Sequence, residues 1–587
     1  MNIIYILTTV LIITLYQLLY KKDEKQNFLK SLSISLCMIM CYNIVICVFL
    51  TFIKIKSTLI TLSLINIIIG FGLIFKILKD KKIQKYFINK IDIIAIICII
   101  VLVSIIAVKQ YGIPINIKHA ITDASIHYFV ADEFYNYSML LLEENSDVLN
   151  FFNEDFFIPG AYINTGILFK IFSPIVDETY FCKLFVIFDI SMWCLSGLLM
   201  YSLLSYNKKQ NKHKILPLIF SLVYMLAYPL NTLLSGFSYL QIGLNIIICI
   251  ILIMKQEVKN HYKYIQIFLL NFGLMFTYYY FAPVVFLAVF LQIIIEIKKQ
   301  GEKIFSIKNI LNIFVSVFLP GLFGLLFFIV LRLMKLGEGA VNLYKVYENV
   351  INTPGSIYIN FITNILIYLP LSVYYIANCI KNKKQDISNK MLIITIVFMI
   401  ILFIGMKMQK ISEYYYYKVY YMLWIYIIVT AFYATEILKE KAGLYFIAII
   451  ISVILNNNFI LFDIYKINFQ EIQTEYKSVT DKELKILEYY NNNIDSEDDQ
   501  DNRTYVYLAE LENRARWIYA ITRNPYIFID LIWGESPLDI QQFIDSDKQY
   551  CMILKKDTPT IFENIEENAN LKILLKNEDG AILEKIP

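Results

Sequence analysis

Apolar runs of roughly twenty residues, each closed by a short polar stretch, recur along the chain from its first residues. A run of that length is what an α-helix needs to cross a bilayer. The pattern predicts spans near 2–20, 31–53, 57–77, 91–108, 178–204, 215–230, 233–254, 265–281, 283–297, 310–332, 357–380, 391–407, 418–438 and 443–462. The fold class expected is a polytopic α-helical membrane protein of about fourteen transmembrane helices with a C-terminal extracytoplasmic α/β domain. The chain then divides into four regions: 1–108, N-terminal helices; 109–177, a first long external loop; 178–462, a transmembrane core; and 463–587, a soluble domain.

Within the loop, Ala161–Ile175 is apolar but short and holds Lys170, which predicts an interfacial helix. In the last region alternation changes. Thr504–Leu508 and Tyr550–Leu554 read as strands, and Asp481–Tyr490 and Glu510–Ala520 as helices. No phosphate-cradling glycine loop appears there, so a cap over the outer face is the expectation.

Composition agrees. Of 587 residues 58% are hydrophobic and only 17% charged, which a soluble chain of this size could not clothe in polar surface. Lysines set the orientation. They crowd the loops after every odd-numbered span, such as Lys79/Lys81/Lys82/Lys85 and Lys208/Lys209/Lys212/Lys214, and so place those loops in the cytoplasm. The N-terminus, the 109–177 loop and the tail then lie outside, with the long outer loops as the seat of function. The start, 1–20, has no basic n-region and reads as a retained helix. The nine cysteines form no metal or disulfide framework by spacing, and a net charge of +4 gives no reason to expect nucleic acid.

Candidate chemistry lies mainly at the outer rim. Asp123 and His127 are four apart and share a face if their segment is helical; on this segment alone a helix cap with a packed histidine is the plainer reading and an acid/base pair the functional one. Lys407, Lys410 and Lys418 surround a tyrosine run in which Tyr415 and Tyr416 offer hydroxyls. That is either a headgroup-level aromatic belt or a phosphate site. Arg332 is the lone arginine of the membrane half. Asp189 sits inside a span and is a functional hypothesis on that ground.

A first long outer loop with an early acidic residue, an apolar segment after it, further spans and an external domain resemble the GT-C superfamily of integral-membrane glycosyltransferases. That superfamily includes protein O-mannosyltransferases and the aminoarabinose transferase. The likeness rests on Asp123-Ala-Ser-Ile-His127-Tyr128, on Ile158-Pro159-Gly160 with the apolar segment after it, and on the Tyr414–Lys418 run. It implies a sugar moved from a polyprenyl-phosphate donor to a glycan, lipid or protein acceptor of the cell envelope, at the membrane. Asp123 would be the general base or hold a divalent cation, Mg or Mn, with His127 beside it. Lys407, Lys410, Lys418 and Arg332 would neutralise the leaving phosphate. Two features depart from that pattern. Three helices precede the span that should be first, and the second acidic position falls on any of Glu154, Asp155, Asp177 or Glu178. Two other readings stand beside it: a flippase or exporter of envelope precursors with Asp189 on its path, and a structural membrane protein whose tail binds.

Overall fold

A computed structural model describes residues 2–19, 26–118, 123–140, 160–205, 215–256, 261–335, 362–382, 386–438, 479–494, 504–508, 514–524, 527–531 and 540–586. The expected span at 443–462 lies outside them, as do Glu154 and Asp155. The chain divides into two compact units. The first comprises Met1–Val103, Ser191–Thr232 and Tyr239–Ile464; the second comprises Ser104–Ile190, Leu233–Ser238 and Tyr465–Pro587.

The first unit is helical. Among the described residues of the whole chain, nine helices are long and apolar enough to cross a membrane. Polytopic membrane architecture therefore stands. Two shorter apolar helices, Asn2–Leu18 and Ser238–Met254, coincide with expected spans. Polar residues at the ends of the apolar runs start several of these helices. Asn27 accepts from the Lys30 amide at 3.0 Å, Thr58 from Thr61 at 3.2 Å, and Asp386 from Ser388 at 3.1 Å, each satisfying a donor that the first turn leaves over. The stretch Tyr262–Lys299 runs 38 residues but is broken at Tyr278, whose φ of −147° and ψ of 75° leave the helical region. Pro283 comes next, in the first turn of Ala282–Lys299, where its missing N–H costs nothing.

Burial separates inner from outer helices. In the most apolar window of Leu59–Asp80 only 22% of residues are buried, against 83% in that of Tyr415–Leu438. The exposed face of the former carries Ile60, Leu64, Ile68, Phe71 and Phe75, a helical stripe too apolar for water and suited to lipid. The inner helix is fixed by directed bonds. Trp424 donates to the Tyr224 carbonyl at 3.2 Å, and the Ser372 hydroxyl donates to that of Ile427 at 3.1 Å. Several buried charged groups of this unit have polar or charged partners. Asp92 accepts from Asn27 at 2.7 Å and Tyr201 at 2.8 Å, and Lys255 meets Asp386 at 3.3 Å.

In the second unit a five-stranded sheet forms in the order Phe528–Leu531, Thr504–Leu508, Tyr550–Leu554, Gly580–Lys585, Leu571–Lys576. The first three strands are parallel and the last two antiparallel. Both expected strands occur at their predicted bounds. Thr504–Leu508 is buried along its whole length, as a central parallel strand should be. The helix Asp481–Asn493 opens with a capping box: the Thr480 hydroxyl accepts from the Glu483 amide at 3.1 Å, and the Glu483 carboxylate accepts from the Thr480 amide at 2.8 Å. The next helix is Arg516–Thr522, shorter than the expected 510–520 segment; residues 509–513 lie outside the described set.

The rest of this unit comes mainly from the first long loop, together with the residues that flank it to Ile190 and with Leu233–Ser238. The loop helices Asp123–Tyr137 and Gly160–Phe172 pack closely at Gly166, where a β-carbon would stand 2.7 Å from the Ala131 carbonyl. The second of these buries even Lys170, whose ammonium reaches the Ser138 hydroxyl at 2.5 Å and stands 4.8 Å above the Phe134 ring. The segment expected at the membrane surface is therefore covered by protein on these faces. Loop and tail are stitched together. Ile117 and Val479 pair as an antiparallel bridge, Tyr180 donates to Glu488 at 2.8 Å, and Asn491 donates to Thr179 at 3.1 Å.

Candidate functional site

The Asp123–Tyr137 helix carries adjacent carboxylates, Asp132 and Glu133, with 2% and 4% of their surfaces exposed. Two ionisable groups so deeply buried need a counter-charge. It comes from Arg523, at the end of the Arg516–Thr522 helix. The guanidinium donates from Nε to Asp132 Oδ2 at 2.6 Å and makes a second contact through a terminal nitrogen. Arg523 reaches it from a left-handed backbone conformation, φ 58°, that glycine usually fills. Helix packing supports the contact, with the Trp517 and Tyr128 rings 5.6 Å apart.

Burial dominates the electrostatics of the pair. It pushes the Asp132 carboxyl up to about 6 even though Arg523 opposes the shift. It pushes Glu133 up to about 7, again against Arg523 and with the Asp132 charge adding to the rise. Arg523 shows the converse: burial weakens its charge, but Asp132 and Glu133 more than restore it, so its pKa rises. Asp132 is a fixed half of an ion pair. Glu133 sits where a proton can be taken or given near neutral pH.

Five residues before Asp132 on the same helix, His127 is fully buried. Its Nδ1 lies 2.6 Å from the Tyr162 hydroxyl, the two rings stack at 5.5 Å, and Phe237 meets the imidazole edge-on at 6.2 Å. The expected partner Asp123 begins this helix, but its side chain lies outside the described residues. Of the other acidic candidates in the loop, Asp177 caps the Glu178–Tyr180 turn through the Thr179 amide at 3.0 Å, and Glu178 accepts from Tyr135 at 2.7 Å. Asp189 is 3% exposed within the Phe181–Leu204 helix.

In the first unit, Lys418 is buried. Its ammonium donates to the Tyr239 hydroxyl at 2.8 Å and lies 5.9 Å from the Tyr278 ring and 6.0 Å from that of Tyr415. Lys418 and Tyr415 are thus brought together, in an aromatic cage that Tyr239 and Tyr278 complete. Tyr416 turns instead to Phe403 and to the Tyr420 hydroxyl at 3.3 Å. Lys407 is exposed 5.5 Å above Phe403, and Lys410 is exposed beside it in sequence. Arg332 lies in the Leu319–Lys335 helix with its side chain outside the described set.

Among the described residues no three His, Cys, Asp or Glu side chains are grouped as a metal site requires. Sequence reasoning passed over Asp132, Glu133, Tyr162 and Arg523. The acidic doublet was readable as charge inside an apolar helix, but Arg523 is 391 residues away and no local pattern announces it. Comparison with protein-family models finds no match, and neither does comparison with curated protein sequences.

Proposed function

We propose that the protein is a membrane glycosyltransferase that moves a sugar from a polyprenyl-phosphate donor to a hydroxyl of a cell-envelope glycan, lipid or protein. In this reading some fourteen spans set the first long loop and the tail outside the cytoplasmic membrane. The observation that carries it is the buried Asp132–Glu133 pair on a helix of that loop, with one carboxylate tied to Arg523 and the other poised near neutrality. Such a carboxylate suits the base of a transfer reaction. Glu133 takes the proton of the acceptor hydroxyl as its oxygen bonds to the anomeric carbon. The bond from that carbon to the donor phosphate breaks, and polyprenyl phosphate leaves with the electron pair.

The resemblance gives this role to Asp123, with His127 as its neighbour. Glu133 has the better support, because its burial supplies the basicity. In the first unit, Lys418 in its tyrosine cage has the chemistry to bind phosphate, a point charge among hydroxyl donors. Arg332, Lys407 and Lys410 keep that role as proposals. A divalent cation is given no step. The second reading, transport of envelope precursors, is favoured by Asp189, a buried carboxylate within a span. Purified protein in lipid, offered labelled polyprenyl-phosphate sugars, separates the two: release or transfer of sugar that Glu133→Gln abolishes supports the enzyme. Movement of intact donor across vesicles without bond cleavage supports the transporter.

A further inference from the structure

We propose that Arg523, carried on the C-terminal segment, is a positioning residue for the acidic doublet: it holds Asp132 as its ion-pair partner and leaves Glu133 as the carboxylate that exchanges a proton. This rests on the transferase reading and adds to it a division of labour between two adjacent acids and a reason for the tail.

The two carboxylates are neighbours on one helix and equally buried, yet their surroundings differ. Asp132 Oδ2 receives two nitrogens of one guanidinium. Glu133 Oε2 is buried and has no hydrogen-bond partner among the described residues. Glu133 Oε2 has an open lone pair for a proton, while Asp132 Oδ2 is engaged by the guanidinium.

The cation is held for this purpose by more than its own ion pair. The Arg516–Thr522 helix ends at Arg523, whose amide donates to the Tyr519 carbonyl at 2.8 Å. Asn524 donates to Tyr490 at 2.9 Å, and the Tyr519 hydroxyl donates to the Ile527 carbonyl at 3.1 Å. Arg523 itself adopts the left-handed conformation that ends the helix. A third of the Arg523 side chain remains exposed. Besides Arg523 and Glu133, the titratable groups that interact electrostatically with Asp132 are Glu178, Tyr128, Tyr135 and Cys182. The packed helix Gly160–Phe172 brings one further cation, Lys170, whose ammonium lies over the Phe134 ring and bonds to Ser138, so among the described residues Arg523 is the cation in direct contact with the doublet.

The test titrates the carboxyls of the full-length protein in lipid discs by infrared difference spectroscopy, with Asp132→Asn and Glu133→Gln assigning the bands. Arg523→Gln should raise the midpoints of both acids by about one unit or more, because a neighbouring cation is lost. Asp132→Asn should move the Glu133 midpoint the opposite way, because a neighbouring anion is lost and the guanidinium is freed. Arg523→Lys should restore most of the Arg523→Gln change. Where a labelled donor turns over, the acid limb of kcat/KM should track the Glu133 midpoint in each variant. Unchanged midpoints in Arg523→Gln, or shifts of the same sign in Arg523→Gln and Asp132→Asn as general loosening would give, overturn the assignment. Opposite shifts without turnover of any donor overturn the transferase reading and leave the division of labour standing. Turnover with unmoved midpoints does the reverse.

Discussion

Replacing Glu133 by Gln should make the protein a worse catalyst and a more alkali-tolerant fold. Burial raises this carboxyl from 4.5 to about 7. Below pH 4.5 the acid is protonated folded or unfolded and contributes no pH dependence. As pH rises from 4.5 toward 7, the unfolded chain ionises while the folded one keeps its proton, so folded stability falls. Above 7 both forms are charged and the loss levels off. A shift of that size corresponds to roughly 3 kcal/mol at the plateau. Gln has the same shape and no charge, so its stability should lack this slope. A constant penalty of about 1–3 kcal/mol for a buried amide without a partner offsets the curve but does not tilt it. The assay is thermal or denaturant unfolding of both proteins in one lipid or detergent at pH 4.5, 6 and 8, monitored by the near-ultraviolet aromatic signal. The difference between the variants should grow by roughly 3 kcal/mol in favour of Gln from the lowest to the highest pH. Turnover should fall by about 10²–10⁴-fold, the usual contribution of a general base. Parallel stability curves would show that Glu133 does not hold its proton in the folded state, and the base assignment would go with them.

The packing leads to three further outcomes. Lys418→Met should raise the KM for a phosphate-linked donor about tenfold to a hundredfold, the worth of a charged hydrogen bond, with little change in kcat; an unchanged KM removes Lys418 from the phosphate site. Gly166→Ala should destabilise the loop helices by about 1–3 kcal/mol, because the added carbon meets the Ala131 carbonyl and the Phe134 ring; faster proteolysis within 123–172 reads this out. Arg514→Ala removes the guanidinium that both Glu483 and Asp557 meet at 2.9 Å, and leaves Glu483 with the Thr480 amide at 2.8 Å and Lys556 at 3.6 Å. Loss of about 3–5 kcal/mol from unfolding of the C-terminal segment is expected at neutral pH.

Much of the architecture was written locally. The spans come from run length, and the Thr480–Glu483 box and the strand at Thr504–Leu508 from short motifs that need no distant partner. The break at Tyr278 is signalled by Pro283 close behind it. The site was less legible. The His127 face was readable from spacing, but its partner in the structure is Tyr162, placed by the packing of two loop helices at Gly166. The Asp132–Glu133 doublet carried no motif that set it apart as a site. Only burial by the C-terminal segment, which brings Arg523 and Trp517 against it, turns it into a perturbed pair. Lys418 was visible as a lysine in a tyrosine run, whereas the cage around it draws Tyr239 and Tyr278 from two other helices. In each case the missing information is long-range side-chain contact.

The most direct test of the account is to incubate the wild-type protein and its Glu133→Gln variant, in lipid, with a panel of polyprenyl-phosphate sugars labelled in the sugar. The account predicts cleavage of the sugar–phosphate bond for at least one donor by the wild type, with label appearing on acceptor or water, and its near-complete loss in the variant. Donors left intact by both proteins, or equal cleavage by the two, would contradict it.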